Sequence, residues 1–377
     1  MIAGEAIARH LVTGRGVRVT WKDGVIARVE PSDSPVPEDV WIAPALFDLQ
    51  VNGYAGVDFQ QDNLELEQLR EAVRALREAG CSRFLLTLIT DEWPALMARF
   101  RRFRELRARD PGLCSAIAGW HIEGPFLSAE PGYCGTHDRG LMLDPTPERM
   151  RELIGTAGGD PVLLTLAPER AGAIRAIEMA VAAGFRVSLG HTNAPADVLQ
   201  RAVAAGARMF THLGNGCAAD LNRHDNILWR VLDGLDVFPS LIPDGIHVAP
   251  ALFRLFHRLL PADKVCYTTD AMSAAGAGPG YFSLGKRRLQ VGPDGIVKEP
   301  GTPYLSGSAL CPFDGVLRAA RMLGCSWQES WKRFSTAPAL AMGLPDGLTE
   351  GHPAHFVILQ EAEGIPSIRQ CVPTIDS

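Results

Sequence analysis

The chain has 377 residues, 46% hydrophobic and 21% charged, which argues against a disordered or fibrous protein and leaves room for a barrel of about 250 residues beside a smaller unit. A net charge of −6 with the two signs mixed along the chain offers no electrostatic footprint for nucleic acid or an anionic membrane. Met1 to Gly14 contains no uninterrupted apolar stretch, and no run approaches the roughly 18 residues that span a bilayer, so a soluble cytoplasmic protein is expected.

Residues 1–42 alternate as short strands, with Lys22-Asp23-Gly24 as a hairpin signal between Val17–Trp21 and Val25–Val29. Two further strand candidates, Ala354–Leu359 and Ser367–Val372, lead to the expectation that residues 1–42 and 346–377 build one small β-sandwich domain from both chain ends. Between them, residues 43–345 alternate short apolar runs with amphipathic helices. The strand candidates are Ile42–Val51, Phe84–Ile89, Ser115–Ile122, Val162–Leu166, Arg186–Leu189, Met209–Leu213, Val237–Ile242 and Val265–Thr269. Helical stripes lie between them, such as Leu66, Leu69, Val73 and Leu76, or Ile174, Ile177 and Val181. Eight such units predict an α/β fold, a (β/α)8 TIM-type barrel. The basic cluster Arg99 to Arg109, broken by Phe100, Phe103 and Leu106, reads as a solvated helix face. A β-hairpin insertion is expected near 281–303, after the eighth strand, and helices over Leu310–Leu323 and Trp327–Met342. Eight dispersed cysteines without a Cys-x-x-Cys pair are expected to be reduced thiols.

Four of the strand candidates end in residues that bind metals or move protons. Glu123 precedes a Gly-Pro break, His191 and His212 close two later strands, and Asp270 closes the eighth. Barrel enzymes place their chemistry at these strand ends. Glu123, His191 and His212 supply the three protein ligands of a catalytic zinc site, with a position left for water. Asp270 is then the natural proton shuttle, and His247 could polarise a substrate carbonyl. Asn215 and Gly216 offer an amide and an open backbone to an oxygen-rich substrate, and the fork of Arg223 suits a phosphate or carboxylate. The first strand candidate ends in Gln50-Val51-Asn52 with no His-x-His pair, so Gln50 and Asn52 are read as hydrogen-bonding groups near a single divalent ion. Zinc leads, but this donor set would also accept Fe2+, Co2+ or Mn2+.

Taken in order, Pro44–Gly53, His121–Phe126, Gly190–Ala194, Thr211–Gly216, Asp244–Val248, Thr269–Met272 and Leu305–Ala309 resemble the motif series of the N-acetylglucosamine-6-phosphate deacetylases, of the amidohydrolase superfamily. The resemblance runs from about residue 43 to 310. It implies a metal-dependent hydrolase that turns N-acetylglucosamine 6-phosphate into glucosamine 6-phosphate and acetate. It further implies Glu123, His191 and His212 as zinc ligands, Asp270 as acid/base, and His247 at the substrate carbonyl. Thr136, His137, Asn215, Gly216, Ser306 and Gly307 would contact substrate, and Arg223 would reach the phosphate across a homodimer interface.

The departures from the family pattern cluster on the phosphate side: Gly214 in place of a bulkier residue, Gly216 in place of Ala, Arg223-His224-Asp225-Asn226 in place of Arg-Glu-Pro-Gly, and the insert Ala129 to Cys134. One alternative is therefore a deacetylase of a different N-acetyl amino sugar, phosphorylated or not. A more remote one is an inactive sugar-phosphate sensor.

Overall fold

The computed structural model describes residues 3–301 and 305–373. The ends of the predicted sandwich (1–2 and 374–377) and residues 302–303 of the predicted hairpin lie outside the described residues. The core is a parallel eight-stranded sheet formed in chain order by Leu46–Val51, Cys81–Ile89, Ile117–Glu123, Val162–Leu166, Arg186–Leu189, Met209–Phe210, Phe238–Leu241 and Cys266–Tyr267. Helices alternate with these strands, as the eightfold pattern predicts. The helix Leu66–Glu78 starts at a Glu65/Gln68 capping box and buries Leu69, Ala72, Val73 and Leu76. Thr146 caps Pro147–Ala157, which ends on Gly158 at φ 59°, the left-handed stop that glycine adopts without penalty.

The strands of both chain ends share one six-stranded sheet in the order Ile365–Val372, Phe356–Ala362, Val40–Pro44, Ala3–His10, Gly16–Lys22, Val25–Pro31. It has its own apolar cluster, including Ala8, Val19, Ile42 and Phe356, as the small sandwich requires. The Asp23-Gly24 turn has φ 51° and 76°, the left-handed pair of a tight hairpin.

Several boundaries move. The candidate Ile42–Val51 splits, because Val40–Pro44 pairs with Phe356–Ala362 of the terminal sheet while only Leu46–Val51 enters the barrel. Ser115 and Ala116 belong to a short helix, Pro111–Ala116, whose first turn Asp110 caps by accepting from the Leu113 N–H. The insertion is a three-stranded antiparallel sheet, Gly280–Leu284, Arg287–Val291 and Val297–Lys298, and not a simple hairpin. The last long helix divides into Trp327–Phe334 and Thr336–Met342, with Pro338 tolerated in the first turn of the second piece. Arg99 is not solvated: it is buried against Asp62 and Asp91, at 2.6 and 2.8 Å. On Ala173–Ala182 the buried face is Ala173, Ala176, Ile177 and Ala180, which leaves Val181 exposed. No helix among the described residues is long and apolar enough to cross a membrane.

Closing the barrel requires the first and eighth strands to meet, and side chains do most of that work. Val51 and Ala271 form an isolated parallel bridge. Beside it the fully buried Asp48 carboxylate accepts from the Thr268 and Thr269 hydroxyls, both at 2.6 Å, and from the Thr269 N–H at 3.1 Å. Burial raises the Asp48 pKa to about 6 in spite of these donors. Asp48→Ala should lower unfolding stability by about 3 kcal/mol at pH 7, since it strands several buried donors. The folded pKa lies above the unfolded one, so the contribution of the Asp48 proton is complete below about pH 4 and is lost as pH rises through 6. Denaturant titrations should therefore show a wider gap between wild type and Asp48→Ala at pH 4 than at pH 7; a constant gap would mean that Asp48 does not titrate in this range.

Candidate metal centre

Glu123 is the last residue of the third barrel strand. His191, His212 and Asp270 lie just beyond the fifth, sixth and eighth strands, at φ 49°, 32° and 52°. Left-handed backbone is uncommon for side chains of this size, and it turns each group from the strand direction into the barrel mouth. Together with Asn52, Thr136, His137, Asn215, Gly216, His247 and Gly307, these residues line one cavity.

The ligand atoms of Glu123, His191 and His212 all lie within 4.8 Å of one another. The His212 Nε2 is 2.9 Å from Glu123 Oε1, the His191 Nε2 3.5 Å from the same oxygen, and the His137 Nε2 3.6 Å from Oε2. Gln50 Nε2 donates to Glu123 Oε1 at 2.9 Å, which puts Gln50 beside the candidate ligand cluster. Burial alone would raise the Glu123 pKa; the His137, His191 and His212 imidazoles gathered around it outweigh that and hold the carboxyl well below the usual range. Burial lowers the His191 pKa to about 4, so this imidazole is neutral at pH 7 and offers a lone pair. Burial acts against the His212 imidazolium as well, but the Glu123 carboxylate raises its pKa.

The donor set fits a divalent cation. One buried carboxylate and two buried imidazoles converge, His191 Nδ1 is engaged by the Tyr133 carbonyl at 2.9 Å, and the buried His212 Nδ1 has no partner. One more buried atom without a partner belongs to a residue of the cavity wall, Asn215 Nδ2; Ser306 Oγ is likewise buried without a partner, but Ser306 does not line the cavity.

The Asp270 Oδ1 accepts from Asn52 Nδ2 at 2.8 Å, and burial, followed by the nearby Glu123 charge, raises its pKa to about 6. His247 is fixed by a residue that the sequence reading passed over: its Nδ1 lies 2.6 Å from Asp244 Oδ2, while Asp244 Oδ1 accepts from the Ile246 and His247 N–H groups. Aspartate three residues before histidine in a Gly-containing turn was a readable sign of this pairing. Thr90 was also missed; its hydroxyl holds His137 Nδ1 at 2.8 Å. Ser306, fully buried, does not line this cavity, and neither does Arg223. Arg223 is exposed, and its Nε faces the neighbouring His224 at 3.0 Å.

The glycine at 216 has a steric reason. At φ 61° a Cβ there would lie 2.8 Å from His191 Nδ1, and a Cβ on Gly135 would lie 2.8 Å from His191 Cε1. The ring occupies space that a side chain at either position would invade. Gly216→Ala should lower metal affinity about tenfold or more, the usual scale for disturbing a ligand's support, as read by competition with a chromophoric chelator. Wild-type affinity in that variant would show that the ring has room to move.

No family model matches the chain. Curated relatives do. The N-acetylglucosamine-6-phosphate deacetylases of Bos taurus and Homo sapiens are each 32% identical, over 335 and 334 residues, covering 85% of this chain and 80% of theirs. Among solved structures, N-acetylglucosamine-6-phosphate deacetylase from Pasteurella multocida superposes with a TM-score of 0.86 at 26% identity, covering 98% of both chains. A point mutant of the Mycobacterium smegmatis enzyme, in complex with N-acetyl-D-glucosamine-6-phosphate, gives 0.85 at 27% identity, again covering 98% of both.

Proposed function

The chain belongs to the N-acetylglucosamine-6-phosphate deacetylase family, and from this we infer that it removes the acetyl group from N-acetylglucosamine 6-phosphate, giving glucosamine 6-phosphate and acetate. The observation that carries the reading is the convergence of Glu123, His191 and His212 with Asp270 in one buried mouth.

Glu123, His191 and His212 would hold one divalent ion, with zinc the first candidate for a carboxylate and two imidazoles. When bound, the ion supplies Lewis acidity at the acetamide carbonyl and lowers the pKa of a water. Asp270 performs the proton transfers. With Oδ1 engaged by Asn52, its other oxygen is left to take a proton from the attacking water and to deliver one to the departing amine. His247, oriented through Nδ1 by Asp244, presents Nε2 to the carbonyl oxygen as negative charge develops there. Thr136, His137, Asn215, Gly216, Ser306 and Gly307 position the sugar; the unpartnered Asn215 Nδ2 in the cavity wall supports this part of the reading. Gln50 steadies the Glu123 carboxylate.

Arg223 lies on an exposed loop beside Trp229, whose indole N–H donates to the Arg223 carbonyl at 3.2 Å. A two-fold homodimer would carry this arginine to the phosphate of a neighbouring site. The eight free cysteines go with a cytoplasmic location. We take 1–42 with 346–377 and 43–345 as the two domains, on the strength of the separate apolar cluster of the terminal sheet.

Acetate release from N-acetylglucosamine 6-phosphate and from N-acetylglucosamine, side by side, tests the assignment. The zinc-loaded protein is expected to favour the phosphorylated sugar by orders of magnitude, and a chelator should abolish turnover until metal is restored. Comparable or reversed rates would transfer the assignment to another N-acetyl amino sugar. Asp270→Asn should reduce kcat about 10³-fold, within the range for loss of a general acid/base, with metal content retained. A variant with kcat near wild type would remove Asp270 from proton transfer. Arg223→Ala should raise KM for the phosphorylated sugar without changing metal content; an unaltered KM would exclude it from the phosphate site.

A further inference from the structure

The loop after the fifth barrel strand begins at His191, whose φ of 49° a histidine keeps only where its surroundings over-determine it. One side of this residue is held by the segment 128–134. The Ser128 N–H donates to the His191 carbonyl at 3.0 Å, and the Tyr133 carbonyl engages Nδ1 at 2.9 Å. Glu130 ties that segment together, since its carbonyl accepts from the Tyr133 and Cys134 N–H groups at 3.1 and 3.4 Å. Its carboxylate then reaches across to the loop, where both oxygens accept from Asn193 Nδ2, at 3.0 and 3.1 Å.

The other side of the loop is held by one guanidinium. Arg230 Nη1 donates to the Asn193 and Ala194 carbonyls, both at 3.0 Å, with Asn193 Oδ1 3.2 Å away. Nε and Nη2 grip the two oxygens of Asp225, at 2.6 and 2.9 Å. Every nitrogen of the fork is used, and the side chain is only 14% exposed. A line of contacts therefore runs from Asp225 through Arg230 and Asn193 to Glu130 and, by way of Tyr133, to His191. Its ends, Asp225 and Glu130, both stand in segments where this chain departs from the family pattern. A planar fork can span such partners at once, whereas an ammonium group is a point charge on a flexible stem.

We propose that Arg230 is a positioning residue of the metal centre: clamped by Asp225, it pins the loop at Asn193 and Ala194 and so keeps His191 in the left-handed backbone that aims its imidazole at Glu123. Arg230 itself belongs neither to the ligand cluster nor to the cavity wall, so its effect passes through the loop. The proposal rests on the metal centre of the deacetylase reading and deepens it.

The test loads wild type and variants with Co2+, whose visible absorption reports ligand geometry, and measures affinity by competition with a chromophoric chelator. Arg230→Ala and Arg230→Lys should each lower affinity about tenfold, the scale for losing an outer support of a ligand, and should alter the Co2+ bands. Lysine keeps the charge without the fork, so wild-type affinity and bands in Arg230→Lys would overturn the clamp. Glu130→Ala should act in the same direction, and its combination with Arg230→Ala should fall short of the sum, because both act through Asn193. Full additivity would overturn the shared path. Arg201→Ala is the control, on the helix Ala196–Ala204 that follows the same loop and with a side chain 62% exposed. It should leave affinity unchanged, and an equal loss there would reduce the effect to general softening and overturn the proposal. A lower Tm in Arg230→Ala with unaltered affinity and bands makes Arg230 a structural contact only, which overturns it too. Acetate release is followed alongside. If wild type binds Co2+ but releases no acetate, the deacetylase assignment falls and the metal readouts still decide the clamp. If wild type binds no Co2+, or His191→Ala keeps the bands, the metal centre and the proposal fall together.

Discussion

A carboxylate buried at the centre of a barrel mouth is the constraint to which the rest of the site answers. An unpaired ionised carboxylate in such a place would be strongly destabilising, and Glu123 is only 3% exposed. Its surroundings are built to compensate: an amide from Gln50, imidazole nitrogens from His137, His191 and His212, and a geometry ready for a divalent cation. Each partner is in turn held. The Tyr133 carbonyl fixes the His191 ring, Thr90 fixes His137, and Gly135 with Gly216 leaves the His191 ring the space that side chains would take. Such fixing matters because an ion site displaced by a fraction of an ångström loses its preorganisation.

Below this mouth the barrel interior stays polar for another layer. His121 bonds to the Leu49 carbonyl at 3.0 Å and to the Thr165 hydroxyl at 2.8 Å, and that hydroxyl continues through Thr211 to Ser188 at 2.7 and 2.6 Å. Together with Asp48 and its threonines at the seam, this network lets a parallel barrel hold polar groups where apolar layers are usual. The same seam brings Asn52 and Asp270 together, so closure of the barrel and placement of Asp270 are one structural event.

Polar groups are distributed around the mouth. The loops after the sixth and seventh strands carry Asn215, Gly216 and His247, and the opposite side is roofed by the inserted sheet with its basic turn. The sequence departures from the family pattern lie on the first of these sides. At one of them, Gly216, a side chain would meet His191, so a change at this position reaches the candidate metal cluster by direct contact.

The sequence by itself determined the barrel, the sharing of one sheet by the two chain ends and the chemical types at the strand ends, because hydrophobic period and Gly or Pro punctuation are local properties. Glu123 before Gly124-Pro125 and the paired Asp23-Gly24 turn were legible for that reason. Boundaries set by partners were not: Val40–Pro44 left the barrel because Phe356–Ala362 was there to pair with it, and Arg99 was buried because Asp62 and Asp91 arrive from other loops. Only the tertiary structure decided that Asp244 holds His247, that Thr90 holds His137, that Asp48 closes the seam across 220 residues of chain, and that Arg223 stays outside its own cavity. Pattern along a chain reports what each segment can become, while distances between segments, which fix ligand sets and proton paths, exist only once the chain has closed on itself.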